Sequence, residues 1–169
     1  TVSSRAYSGI IIDARGLLHV QGEFVESEAY PCLFPKIWDE TMDLLYEKNM
    51  TYSDVAKSEG IVCYSWTDDE SLYQDRIGKD PLRISARKVY GANRTDPVIS
   101  RTDALKILSV PENIQLLKEG KIVILLDKDI LIYPVEFAIK NQSYYTKDKE
   151  LEQFIYEKAI ENTTIIPEE

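Results

Sequence analysis

The chain has 169 residues, 44% of them hydrophobic and 29% charged, enough to bury a real core within one domain and too apolar for intrinsic disorder. Its formal net charge of −9 argues against nucleic acid as a partner, because binding to phosphates requires clustered Lys and Arg. Apolar runs such as Ile122 to Leu126 fall far short of the roughly 20 residues of a membrane span.

The stretch YSGIIIDARGL, Tyr7 to Leu17, predicts a first strand buried on both faces and ended by Gly16. Asp13 and Arg15 share a face of that strand, since side chains i and i+2 point the same way. A catalytic pair, a ligand site and a structural staple are the three readings of them. The staple is preferred, because each buried ion needs a partner and Arg15 offers a planar fork to carboxylates or carbonyls. The segment from Leu18 to Pro31 has no clean period and reads as a long connection, with Pro31 and Pro35 excluding a central strand. PKIWDE and MDLLYE then read as a hairpin.

TYSDVAKSEG predicts a short helix capped at Thr51 or Ser53 and closed by Gly60, feeding the strand IVCYSW. A helical turn is expected over Glu70 to Asp75. LRISARKVY alternates Leu82, Ile84 and Ala86 with Arg83, Ser85 and Arg87, the pattern of one half-buried antiparallel strand with its basic face in water. SRTDALKIL opens a helix capped by Ser100 or Thr102 with Asp103 in its first turn, and Pro111 starts a second helical segment closed by Gly120. KIVILLDKDILIYP reads as two strands across the turn Asp127, Lys128, Asp129, or one strand interrupted there, with Pro134 at an edge or exit. An amphipathic helix is expected over the final stretch DKELEQFIYEKAIE, with Leu151, Phe154, Ile155 and Lys158 at helical spacing. The order predicts a single α+β domain over 1–169, one mostly antiparallel or mixed sheet with helices packed on one face.

Chemistry-bearing signatures are sparse. There is no glycine-rich phosphate loop, nucleophile elbow or metal-helix motif. His19 is the only histidine and lies in an irregular segment without a nucleophile context. Two cysteines and one histidine do not make a zinc site without carboxylates. Asp68, Asp69 and Glu70 lack the spaced ligands and glycine of a calcium loop. Cys32 and Cys63 are read either as a disulfide or, preferably, as two buried thiols. Asp13, Asp39 and Glu40 at strand ends leave a hydrolytic acid pair open. Four of the five asparagines, Asn49, Asn93, Asn141 and Asn162, open Asn-x-Ser/Thr tripeptides, which matters only in a eukaryotic secretory setting. No metal and no cofactor is expected.

YSGIIIDARGL, FPKIWDE, LLYE, GIVCYSW, RIGKDPLRISARKVYGANRTDPVISRTDALKIL and KIVILLD follow in an order that resembles the carboxyl-terminal domain of bacterial envelope lipoproteins of the flagellar basal-disk (FlgP-like) type and related small surface lipoproteins. The resemblance covers a core over 7–127 and leaves 128–169 as a C-terminal extension. It places Asp13, Ala14, Arg15 and Gly16 in the strand-end motif, and Pro35 and Asp39 at the hairpin entry. Arg76, Gly78 and Pro81 fall in the middle motif, and Ser100, Asp103 and Ala104 at the helix start. The hairpin of this chain departs from the family in having no glycine at its turn.

Such proteins are exported, often lipidated, and form rings or scaffolds, so the resemblance implies a non-enzymatic structural or assembly protein in the periplasm or at the outer membrane, with a flagellar setting as the narrower version. Self-association or other envelope and flagellar proteins are the implied partners, through the 18–31 loop or the terminal helix. Contact with a membrane would come only through an anchor outside this sequence. A module binding a small molecule or cell-wall fragment in a tyrosine-lined cleft is the alternative, and an acid-dependent hydrolase the second.

Overall fold

The structure is a computed structural model describing residues 2–132 and 164–165. In chain order its strands are β1 (Gly9–Asp13), β2 (Leu18–Val20), β3 (Glu26–Ser27), β4 (Ile37–Asp39), β5 (Leu44–Tyr46), β6 (Cys63–Ser65), β7 (Pro81–Ser85), β8 (Lys88–Tyr90), β9 (Asp96–Ile99), β10 (Ile122–Leu125) and β11 (Thr164–Ile165). The helices are α1 (Ser53–Ser58), α2 (Gln74–Ile77), α3 (Arg101–Leu108), α4 (Pro111–Lys118) and α5 (Lys128–Ile132). The expected amphipathic helix, and the role assigned to Pro134, lie outside the described residues.

The fold is α+β, but its strands form two sheets where one was expected. The first, ordered β11-β6-β10-β1-β7, has parallel pairing throughout. The second, ordered β3-β2-β8-β9-β4-β5, is mixed, with β2–β8 and β4–β9 parallel and its other pairs antiparallel. Helices cover both faces of the first sheet rather than one. Ile10, Ile12, Ile122 and Ile124 join Ala104, Ile107, Leu116 and Leu117 of α3 and α4 in the main core. On the opposite face, Ile11, Val123 and Leu125 pack with Tyr73 and Ile77. A parallel strand flanked on both sides and covered on both faces accounts for the unbroken apolar run of β1.

The two sheets share chain. β1 lies parallel to β7 and β2 parallel to β8, so two neighbouring segments bend together from one sheet into the other. The Ala86 N–H still bonds the Asp13 carbonyl (2.9 Å) at the corner. LRISARKVY is therefore two strands. The reason is visible in its phase: Leu82, Ile84 and Ala86 are buried at even positions, then Val89 at an odd one, and a one-residue slip turns every side chain to the other face.

Three further expectations are corrected. The Leu18–Pro31 segment contains the edge hairpin β2–β3 rather than an unstructured connection. Helix α1 begins after Tyr52 without a side-chain cap, because the Thr51 hydroxyl is hydrogen-bonded to the buried Tyr46 hydroxyl instead. After β10 the chain forms α5, not a second strand. Its three-residue apolar run is too short for periodicity to separate the two, and Leu131 is buried in the core.

The hairpin β4–β5 forms as expected. Met42 takes the left-handed position of its turn (φ 64), a conformation that costs an L side chain about 1 kcal/mol. Met42→Gly is expected to stabilise the protein by up to about 1 kcal/mol, the gain being partly offset by the extra freedom of the unfolded chain. A rise in the urea midpoint at constant slope checks it.

Candidate functional site

Parallel strands point their carboxyl ends to one edge, where α/β sheets hold their ligand crevices. Here that edge carries Asp13 at the end of β1, Ser85 at the end of β7 and Asp127 just beyond β10. A cavity of about 160 Å³ opens there, lined by Asp13, Asp68, Glu70 and Arg83 above a floor of Ile11 and Tyr73.

Arg15 organises the edge. Its Nε and Nη2 donate to the two Asp13 carboxylate oxygens (3.0 and 2.9 Å). Nη2 also donates to Asp68 (2.7 Å) and Nη1 to the Trp66 carbonyl (3.2 Å). Gly16 N–H donates to the Asp127 carboxylate (3.0 Å). The corner after β1 is thus tied to the segments leaving β6 and β10. Arg83 makes a separate bidentate pair with Glu70, both distances 2.6 Å.

Burial pushes the Asp13 carboxyl up, but hydrogen bonds from the Arg15 side chain and backbone outweigh it and hold it below the ordinary carboxylate range. Burial first, then the charges of Glu70 and Asp68, push the Tyr73 phenol up to about 12. It remains a neutral donor, bonded to the Thr67 carbonyl at 2.9 Å. A carboxyl held low is a poor proton donor, the opposite of what acid hydrolysis asks of one member of its pair.

Asp39 belongs to a different set, at the end of β4 in the second sheet. It is buried and bonded to Thr41, Asp43 and Arg101. Glu40 accepts from the Arg101 backbone N–H. Asp13 and Asp39 thus lie in different sheets and are bonded to different arginines. His19 is exposed on β2, opposite Glu26.

The remaining motif residues sit at packing junctions. Pro35 is buried just before β4, and Pro81 opens the edge strand β7. Ser100 caps α3 by accepting from the Asp103 N–H (3.1 Å). Arg76 donates to three backbone carbonyls, those of Glu59, Gly60 and Gly120, at 2.9, 2.8 and 2.6 Å. Gly78 packs against Ser8, where an added Cβ would lie 2.6 Å from the Ser8 Cβ.

Cys32 and Cys63 are thiols and not a disulfide. Tyr64, the neighbour of Cys63, does reach Cys32, donating to its carbonyl at 3.1 Å. Successive strand residues face opposite ways, so Cys63 turns to the other face and packs with Tyr73 and Ile77. Burial pushes both thiols up to about 11. Both are expected to react very slowly with a thiol reagent in the native protein at pH 7 and promptly in denaturant, which an absorbance titration reads directly.

Asn113 was not anticipated. It is fully buried in α4, accepts from the Tyr7 N–H (2.9 Å) and donates to the carbonyls of Arg5 (2.8 Å) and Lys106 (3.0 Å). Its signal was a polar residue on the apolar stripe it shares with Leu116 and Leu117. The arginine partners Asp68 and Glu70 carried no signal at all, being members of a run that looks solvated.

Residues 9–128 match the family described as Treponema pallidum Tp0624, second domain. No curated protein matches the chain. The match is to a bacterial protein domain and gives no support to the likeness to basal-disk lipoproteins.

Proposed function

The chain belongs to the family of the second domain of Treponema pallidum Tp0624, and on that premise we propose that it is a non-enzymatic assembly domain of a bacterial cell-envelope protein, working outside the cytoplasm. The observation that carries this reading is the mutual bonding of the ions at the strand ends. Arg15 ties together Asp13, Asp68 and the Trp66 carbonyl, and Arg83 closes on Glu70. Groups so engaged fix where segments leave the sheet. The envelope setting, and its narrower flagellar form, come only from the resemblance of the ordered segments over 7–127, the DARGL, RIGKDPL and VISRTDA stretches among them.

Multi-angle light scattering over a wide concentration range, together with crosslinking in the cells that make the protein, tests the assembly reading. A strict monomer with no crosslinked partner overturns it. Arg15→Met is expected to lower stability by about 2 kcal/mol, because it strips charge-assisted hydrogen bonds from Asp13 and Asp68. Chemical denaturation measures this, and an unchanged midpoint would remove the structural role of the pair.

The cavity favours a second reading, a module for a small polar ligand. Three carboxylates and two guanidiniums gather at or beside it, over an apolar floor. A thermal-shift screen of small amines, sugars and cell-wall fragments tests it, since a ligand that binds only the native state raises the melting temperature.

A further inference from the structure

We propose that the β2–β3 hairpin is a docking knob for another protein that offers an apolar socket ringed by Lys and Arg; the proposal rests on the assembly reading and names the partner's chemistry. Phe24 is fully exposed at the hairpin tip with Val25 beside it at 47%, and Leu17, just before β2 at the hairpin's other end, is 66% exposed. Single exposed apolar side chains are ordinary on protein surfaces. What sets these apart is that the element presenting them is held in place.

The tip is fixed from the neighbouring turn. Arg94 makes two hydrogen bonds to the Glu23 carboxylate, at 2.9 and 3.2 Å, and a third to the Gly91 carbonyl at 2.9 Å. The Gln21 N–H bonds the Val89 carbonyl (2.9 Å), and the Tyr30 N–H bonds the Arg94 carbonyl (2.9 Å). A large aromatic group held on a pre-organised hairpin enters a complex with little ordering left to do, the property that marks interface anchors.

Charge selects the occupant. Glu26 and Glu28 follow the tip along the hairpin's outgoing side, and Asp127 bonds Gly16 beside Leu17. Burial, then the charges of Asp129 and Asp127, raise the Glu28 carboxyl, so these acids lie close enough to feel one another. An anionic lipid surface would be repelled by that flank. A second copy would be too, because the chain carries a net charge of −9. Of the stripe Arg83, Arg87 and Lys88, Arg83 is bonded to Glu70 and Lys88 lies beside His19 next to the hairpin itself, which leaves a copy the exposed Arg87 alone and not a basic rim. A socket with a basic rim meets both demands, apolar contact for Phe24 and opposite charge for the glutamates.

The test places a photo-crosslinking amino acid at position 24 of the full chain in the cells that make it, and sequences the crosslinked peptide. Binding of the identified partner is then measured against salt for the wild type and for Phe24→Ser, Glu26→Lys and Glu28→Lys. The expected result is a peptide from a different protein that combines apolar residues with Lys and Arg. Its binding weakens with added salt and drops about tenfold or more on Phe24→Ser and on the charge reversals together. Should Phe24→Ser fail to fold, the exposed Glu26→Lys alone keeps the comparison. A peptide from a second copy, or co-sedimentation with phosphatidylcholine or phosphatidylglycerol vesicles that depends on Phe24, overturns the proposal. Crosslinks from other positions but none from position 24 overturn the knob and leave the assembly reading standing. A strict monomer with no crosslinks anywhere overturns both.

Discussion

Replacing Gly9 by alanine is expected to cost about 3 kcal/mol or more, a fall in melting temperature of roughly 10 °C for a chain of this size. Gly9 opens the interior strand β1, and α2 lies directly on it. An added Cβ would sit 2.5 Å from the Ile77 Cα, Cβ and carbonyl oxygen. Two of those atoms are backbone, so trimming the Ile77 side chain does not relieve the clash, and Gly9→Ala with Ile77→Ala is expected to remain destabilised. The helix cannot back away cheaply either. The Ser8 hydroxyl donates to the Ile77 carbonyl (2.7 Å) and accepts from the Asp80 N–H (2.8 Å), which holds the end of α2 against the strand. Gly16 is the natural control. It has φ +82, but an added Cβ there meets nothing within 4 Å. Gly16→Ala is therefore expected to cost only about 1 kcal/mol, from its backbone conformation alone. Urea denaturation of both variants separates steric exclusion from backbone preference. Equal losses would mean that the α2–β1 contact is looser than the structure has it.

Local signals carried α3 and α4 well, and long-range pairing carried less. Ser100 announces the start of α3 because a cap acts through a group only three residues away, and Pro111 announces α4 because its fixed φ and missing N–H suit the first helical position. The β4–β5 hairpin is legible because it too is local. The division into two sheets is not, since it turns on where β1 and β7 stop pairing with each other and β2 and β8 begin. Its only trace is the phase slip between Ala86 and Val89, three residues in a segment that otherwise alternates well. The Asp13–Arg15 pair was legible as a unit because i and i+2 share a face. Its further bonds to Asp68 and Trp66 were not, since a separation of more than fifty residues leaves no local mark. Arg76 is the extreme case: it bonds three backbone carbonyls, and a carbonyl has no identity in a sequence.

Asp39→Ala is expected to be about as damaging as Gly9→Ala, at about 3 to 4 kcal/mol, through electrostatics and hydrogen bonding rather than shape. Asp39 is 1% exposed. One carboxylate oxygen accepts from the Thr41 N–H (2.9 Å), the Thr41 hydroxyl (2.6 Å) and the Asp43 N–H (3.0 Å). The other accepts from Arg101 at 2.7 Å, joining the hairpin turn to the first residue of α3. Alanine leaves those donors without their acceptor and leaves Met42 in its left-handed conformation with less to hold it. Burial pushes the Asp39 carboxyl up, and the bonds from Thr41, Arg101 and Asp43 outweigh it, so its pKa in the folded state lies below the ordinary 3.8. The sign follows. The unfolded chain takes up the proton first as pH falls, so the contribution of Asp39 is fully present above about pH 4 to 5 and is lost as pH drops through the lower folded-state value. Asp39→Asn keeps the shape and an acceptor for the turn but gives Arg101 no charge to meet. It is expected to be less stable than the wild type at pH 7 and to lose stability less steeply between about pH 4 and 2. The slope does not vanish, because Asp13 and Asp80 are also held below the ordinary range by arginine partners. Denaturation midpoints at stepped pH decide it: parallel acid limbs in the wild type and Asp39→Asn would show that folding does not lower the Asp39 pKa.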